Sequence, residues 1–339
     1  MIETARNHLL LLVCLFAVAG CDNRAEVALA GKTMGTTYHI KLLADRGMDT
    51  AFLRKKVDSR LEQINDSMST YRKNSEISRF NAFLKTGENF PISNDFMNVM
   101  TAGRQIYELS DGAWDATIGP LVKLWGFYGT NENSGVPDAD AIQAILPNVG
   151  FRRVQLRSGN FLVKSSPHVT LDLGSIAKGY GVDQIATLLK TAGIESALVE
   201  IGGEVFAFGR KKDGSAWAVG INTPRKDAPL DSVYKAVPLT DGALATSGDY
   251  RRFFESGGKS YSHVLDPRSG YPVNNRVVSV SVLAGNCTLA DGLATAIMVM
   301  GPEKGMQLVE RLDDVECLII IHKAGNRLMD LYSSGFPKS

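Results

Sequence analysis

The sequence predicts an α+β fold, with two lobes around a cleft as its arrangement. Three observations predict it. Short β-like runs and amphipathic helices are mixed along the chain, without the regular alternation of a βαβ series. No internal repeat recurs at a fixed period. The composition, 44% hydrophobic and 22% charged over 339 residues, is enough for one large core or two smaller ones. A formal net charge of +1 provides no strongly basic face for nucleic acid.

The N-terminus differs from the rest. Glu3, Arg6 and His8 precede an apolar run from Leu9 to Val18. That run is too short to span a bilayer as a mature helix and suits a secretory signal. Val18-Ala19-Gly20-Cys21 then resembles the bacterial lipobox. On that reading residues 1–20 are removed and the Cys21 sulfur carries diacylglycerol. The alternative is an ordinary signal peptide followed by an unrelated cysteine. Asp22 resembles the enteric signal for retention in the inner membrane, so the expected location is the periplasmic face of that membrane. Cys14 leaves with the signal. Cys287 and Cys317 remain, either as one disulfide or as two buried thiols. No CxxC or Cys/His spacing points to zinc.

Residues 21–30 read as a tether and 31–339 as the folded domain. Thr36 to Leu43 alternates apolar and polar as a first strand. Leu53, Val57, Leu61, Ile64 and Met68 recur every three or four residues, which predicts a helix from Asp49 to Met68. Ser69 to Asn81 reads as a polar loop, and a second helix runs from Asn94 to Leu109. Residues 129–138 read as a surface loop. Strands are predicted at 153–157, 161–164 and 169–173, followed by a helix from Ser175 to Thr191. Further strands are predicted at 196–201, 204–209, 216–222, 233–239, 260–265 and 277–284. Helices from Thr288 to Met300 and Glu303 to Leu312 follow, and strands at 316–322 and 327–332 close the chain.

Four stretches carry candidate chemistry. In Leu289-Ala290-Asp291-Gly292-Leu293-Ala294-Thr295, helical spacing puts Asp291 and Thr295 on one face. Carboxylate and hydroxyl oxygens are hard donors suited to Mg²⁺. Alone, the pair reads as well as a helix cap and a hydroxyl bonded back to the backbone. Around Asp172-Leu173-Gly174-Ser175-Ile176-Ala177-Lys178 a strand turns into a helix, whose N-terminus offers N–H groups to phosphate. Lys178 adds a charge, but the Walker spacing is absent, and a plain strand-to-helix turn has the same pattern. His263 precedes a turn at Asp266-Pro267-Arg268-Ser269-Gly270 and can meet phosphate or a reacting proton, or serve structure alone. Asp115, in Gly112-Ala113-Trp114-Asp115-Ala116-Thr117, can accept from a base or sugar, or cap the following turn.

These stretches, in this order, resemble the FAD:protein FMN transferase (ApbE) family. The blocks that carry the resemblance include Lys32-Thr33-Met34-Gly35-Thr36, Ser69-Thr70-Tyr71, Asp115-Ala116-Thr117-Ile118-Gly119-Pro120-Leu121 and Asp172 to Tyr180. Ile201-Gly202-Gly203, Thr246-Ser247-Gly248-Asp249-Tyr250, Ser262-His263-Val264-Leu265-Asp266-Pro267 and Asp291-Gly292-Leu293-Ala294-Thr295 complete the set. The resemblance implies a two-lobed ApbE-like fold with FAD in the cleft between lobes. It implies transfer of FMN from FAD to a protein threonine, with release of AMP. The ligands of Mg²⁺ would be the Ser175 carbonyl, Asp291 and Thr295. Met34, Tyr71, Ala113, Trp114, Asp115, Asp172, Lys178 and Leu265 would line the FAD site, with His263 near the pyrophosphate. Some relatives carry an acidic residue where this chain has Ala294. Glu204, after the Gly-Gly pair, receives no role.

The implied chemistry is physically consistent. Splitting a pyrophosphate concentrates negative charge, which Mg²⁺ and a helix N-terminus can neutralise. A threonine hydroxyl is a poor nucleophile, and Asp291 can orient it or take its proton. Tyr71, Trp114 and Met34 are candidate surfaces for the flat rings. The expected partners are exported or membrane-bound flavoproteins of sodium- or electron-pumping respiratory complexes, on the membrane where the lipid anchor holds the enzyme. Two other readings use the same residues: a metal-dependent FAD pyrophosphatase yielding FMN and AMP, and a non-catalytic flavin carrier.

Overall fold

The computed structural model describes residues 23–127, 135–225, 227–229, 232–249, 253–256, 259–323 and 327–337. The signal segment, Cys14, Cys21 and Asp22 lie outside the described residues, as does most of the loop at 129–138. The chain begins with strands β1 (Arg24–Thr33) and β2 (Thr36–Asp45), helices α1 (Thr50–Met68) and α2 (Glu76–Ala82), strand β3 (Phe90–Pro91) and helix α3 (Asn94–Leu109). Short helices α4 (Gly119–Leu124) and α5 (Ala139–Ile145) follow, then β4 (Val154–Arg157), β5 (Phe161–Lys164) and helix α6 (Ala177–Thr191). Next are β6 (Ala197–Ile201), β7 (Glu204–Phe208), β8 (Trp217–Asn222), β9 (Val233–Leu239), β10 (Gly242–Gly248), β11 (Phe253–Ser256) and β12 (Lys259–Ser262). Last come β13 (Val277–Ala284), α7 (Cys287–Met300), α8 (Pro302–Val309), β14 (Glu316–Lys323) and β15 (Arg327–Tyr332).

An eight-stranded sheet, ordered β1-β2-β6-β7-β10-β13-β14-β15, is antiparallel throughout. Alternation decides what each face buries. Val199, Ile201, Phe206, Ala243, Ala245, Val280 and Val282 point into the main core with the helices, among them Ile185 of α6 and Leu293 and Ile297 of α7. Val205, Leu244, Leu318 and Ile320 point the other way, under the β8–β9 hairpin with Trp217 and Val237. A third apolar cluster, Leu121, Trp125, Ile142, Val149 and Leu265, forms a smaller packed body beside the main core. Trp125 Nε1 donates to the Gly270 carbonyl at 2.8 Å and ties α4 to the turn after Leu265.

The α+β expectation holds, and several elements differ from it. The tether read at 21–30 is mostly β1: Arg24 to Thr33 pairs residue by residue with Asp45 to Thr36. Its hairpin turn, Met34-Gly35, has φ of 47° and 71°, the positive pair that suits the strand twist. The loop read at 69–81 contains α2, because the Ser75 hydroxyl caps Ser78 N at 3.2 Å while Ile77 and Phe80 are buried. The strand read at 169–173 is not one. Asn81 brackets Leu171 with two hydrogen bonds, and Asp172 N donates to the Ala116 carbonyl, so these backbone groups have no sheet partner. The strand read at 260–265 ends at Ser262, and Leu265 keeps a single bridge to Pro272.

Candidate active site

Helix α6 starts without a cap from its own sequence, since Ile176 at its N-cap makes no side-chain hydrogen bond. The first helical N–H groups then need partners from elsewhere. Asp291 of α7 supplies one, its Oδ2 accepting from Gly179 N at 2.9 Å. Only glycine permits the approach: a Cβ at 179 would lie 2.3 Å from the Cys287 carbonyl oxygen and 2.8 Å from Asp291 Cβ. α7 has its own cap, Asn286, accepting from Leu289 N at 2.8 Å. A second clamp comes from α6, where Asp183 accepts from Cys287 N at 2.7 Å and Thr288 N at 2.8 Å. Burial pushes the Asp183 carboxyl upward, opposed by those hydrogen bonds. Each helix thus clamps the first turn of the other from its own second turn, and the positive dipole end of α6 favours an anionic ligand.

Asp291 is 2% exposed. Its Oδ1 lies 3.8 Å from Lys178 Nζ, and Lys178 donates to Glu204 Oε1 at 2.7 Å. Burial disfavours the Lys178 ammonium, but the Asp291 and Glu204 carboxylates outweigh it and raise its pKa. Burial likewise pushes the Glu204 carboxyl above the usual carboxylate range; Lys178 opposes this and Asp291 adds to it. One helical turn beyond Asp291, Thr295 Oγ1 shares a hydrogen bond of 3.0 Å with Ser247 Oγ of β10. Ser175 sits in the turn before α6, its hydroxyl receiving Trp114 Nε1 at 2.9 Å. Lys178 and Asp291 thus meet at the α6–α7 contact, Thr295 lies one turn further along α7, and Ser175 stands in the turn that opens α6. Asp291 caps the neighbouring helix rather than its own, and Thr295 faces a strand hydroxyl, so the plain-cap reading of this pair does not describe it.

The remaining predicted residues divide. Met34 reaches α6, where a Cβ at Gly181 would lie 2.9 Å from Met34 Cε. Asp172 Oδ1 accepts from Gly174 N at 2.7 Å and shapes the turn that carries Ser175. Tyr71, 77% exposed, projects from the loop between α1 and α2 and has a free ring face. Trp114 does not offer a flat surface: its indole is buried over Gly103, where a Cβ would be 2.7 Å from Cη2. Asp115 is also occupied. Its Oδ1 takes Thr117 N and Thr117 Oγ1, and its Oδ2 takes Phe151 N. Burial raises its pKa against those bonds. Ala113 and Leu265 are buried, at 1% and 3% exposed. His263 is half-buried and follows β12 in the hairpin whose Arg268 reaches Gly112. Glu204 and Ser247 were not singled out by sequence. The available signal was a glutamate opening a wholly buried strand straight after Gly202-Gly203.

A model of the ApbE family matches residues 34–319. The chain belongs to the ApbE family. A curated ApbE-type relative from Vibrio cholerae, named FAD:protein FMN transferase, is 44% identical over 333 residues, 98% of each chain. The solved flavin transferase ApbE from Vibrio cholerae superposes with a TM-score of 0.84 at 42% identity, covering 92% of this chain and 98% of that one. The apo flavinyl transferase ApbE of Pseudomonas stutzeri gives 0.82 at 38% identity, covering 92% and 95%. The matched span contains Ser175, Lys178, Asp291 and Thr295.

Proposed function

We propose that this ApbE-family chain transfers FMN from FAD to a threonine of an acceptor flavoprotein, with Mg²⁺ at Ser175, Asp291 and Thr295. The observation that carries the reading is the Asp291 carboxylate, buried against the N-terminus of α6 with Lys178 beside it. The acceptor hydroxyl attacks the FMN phosphorus, the bond to the AMP oxygen breaks, and AMP departs with the electron pair. Asp291 orients that hydroxyl and accepts its proton. Lys178 and the positive dipole end of α6 hold the pyrophosphate oxygens. His263 would lie near the pyrophosphate, and Tyr71 and Met34 would provide ring surfaces.

The donor set fits Mg²⁺: one carboxylate, one hydroxyl and one carbonyl are hard oxygens. No group of three or more His, Cys, Asp or Glu able to hold a metal occurs among the described residues, so the neutral oxygens matter more here. When bound, the cation would neutralise charge developing on the transferred phosphoryl group. Ala294 withholds a further carboxylate and keeps the site at low negative charge. The lipobox at Cys21 would place the enzyme at the periplasmic face of the inner membrane, beside flavoprotein subunits of sodium- or electron-pumping complexes. No helix among the described residues is long and apolar enough to cross a membrane. The test is incubation with FAD, Mg²⁺ and a candidate acceptor. Covalent flavin fluorescence on the denatured acceptor, matched by AMP, is expected; AMP with no labelled acceptor would mean hydrolysis instead.

A further inference from the structure

Glu204 is 4% exposed, and no step of the proposed reaction falls to it. It opens β7 directly after Gly202 and Gly203, whose φ values are 62° and 104°. A Cβ at Gly202 would lie 3.2 Å from Lys178 Cδ, so this turn rests against the lysine stem. Glu204 Oε1 takes the Lys178 ammonium at 2.7 Å, whereas Asp291 Oδ1 stands 3.8 Å from the same nitrogen. Glu204 Oε2 is buried and meets no hydrogen-bond partner among the described residues. Burying a carboxylate with one oxygen unpaired is costly. An ion pair kept for stability alone gains little from such a placement.

We infer that Glu204 is a positioning residue that holds the Lys178 ammonium off Asp291. The inference rests on the metal reading of Asp291 proposed above. An ammonium and a divalent cation compete for the same carboxylate oxygen. Without the glutamate's reach, Lys178 closes the remaining gap and pairs with Asp291 directly. With it, Asp291 Oδ1 stays open to the cation, and the ammonium stays directed at the place of the FAD pyrophosphate. What matters is the position of the acceptor oxygen, more than its charge.

Mn²⁺ titration of the metal-free protein, without FAD, separates position from charge independently of turnover. Glu204→Gln keeps the reach and loses the charge, so its Mn²⁺ Kd stays within about threefold of the parent. Glu204→Asp keeps the charge but is one methylene short, so its Kd rises about tenfold or more. Adding Lys178→Met to Glu204→Asp removes the competitor and restores most of the affinity, a recovery that mere structural damage would not give. Thermal melts establish that each variant is folded. A weakened Gln variant beside a normal Asp variant overturns the inference, as does an Asp variant with parental affinity. A parent chain that binds no Mn²⁺ overturns the metal reading itself and this inference with it.

Discussion

Lys164 shows how a single side chain is constrained near the site. It is fully buried, donates to the Val169 carbonyl at 3.0 Å and lies 4.7 Å over the Phe80 ring, so it fixes the start of the segment leading to Asp172 and Ser175. Burial lowers its pKa from 10.5 to about 8. Below that value both folded and unfolded chains carry the proton, and the burial cost is fully present. Between about 8 and 10.5 the unfolded chain binds more protons, so stability rises with pH across that window. Relative to Lys164→Met, the parent should gain up to about 3 kcal/mol between about pH 7 and about pH 10.5, read by denaturant unfolding. A constant difference would refute the buried ammonium. At this scale helical spacing put Asp291 and Thr295 on one face and a short motif drew attention to Lys178, because both signals are local. The sequence could not identify their partners Glu204 and Ser247, which arrive from strands remote in sequence. Trp114, expected to offer a ring face, instead holds the Ser175 hydroxyl through its N–H, and of the two readings of Asp115 its bonds to Thr117 match the cap of the following turn.

Among the elements, the α6–α7 contact sets the site. Gly179→Ala puts a methyl group against the Cys287 carbonyl, and backbone cannot swing aside as a side chain can. The expected outcome is about 1–3 kcal/mol lower stability, together with weakened metal binding as Asp291 and Lys178 separate. Thermal melts and Mn²⁺ titration check both; an unchanged melt would contradict the packing described. Helices α1, α3, α6 and α7 were legible because their apolar periodicity coincides with the face they bury. Strand β10 was not: Gly-Ala-Leu-Ala-Thr-Ser-Gly has little strand character, and its place between β7 and β13 is imposed by them. Val169 to Leu173 erred the other way, β-like in composition but bonded to side chains and a loop. α2 was concealed by its polar residues, although Ser75 followed by Ile77 and Phe80 was a readable cap and stripe.

For the whole molecule, two predictions concern where the enzyme sits and what it does. Cys287 and Cys317 are free and buried, so the fold contains no disulfide among its described residues. Cys21→Ala should move the protein out of the membrane fraction while leaving its FAD-dependent activity intact; normal membrane retention would refute the anchor. The site itself is a product of the entire fold, since the sheet brings Glu204 to Lys178 of α6 and Ser247 to Thr295 of α7. The central claim is that this junction performs the transfer through Asp291. AMP release from FAD, measured in Asp291→Ala against the parent with Mg²⁺ and acceptor present, tests it most directly. The account predicts a loss of about a thousandfold or more; AMP release near the parental rate would contradict it.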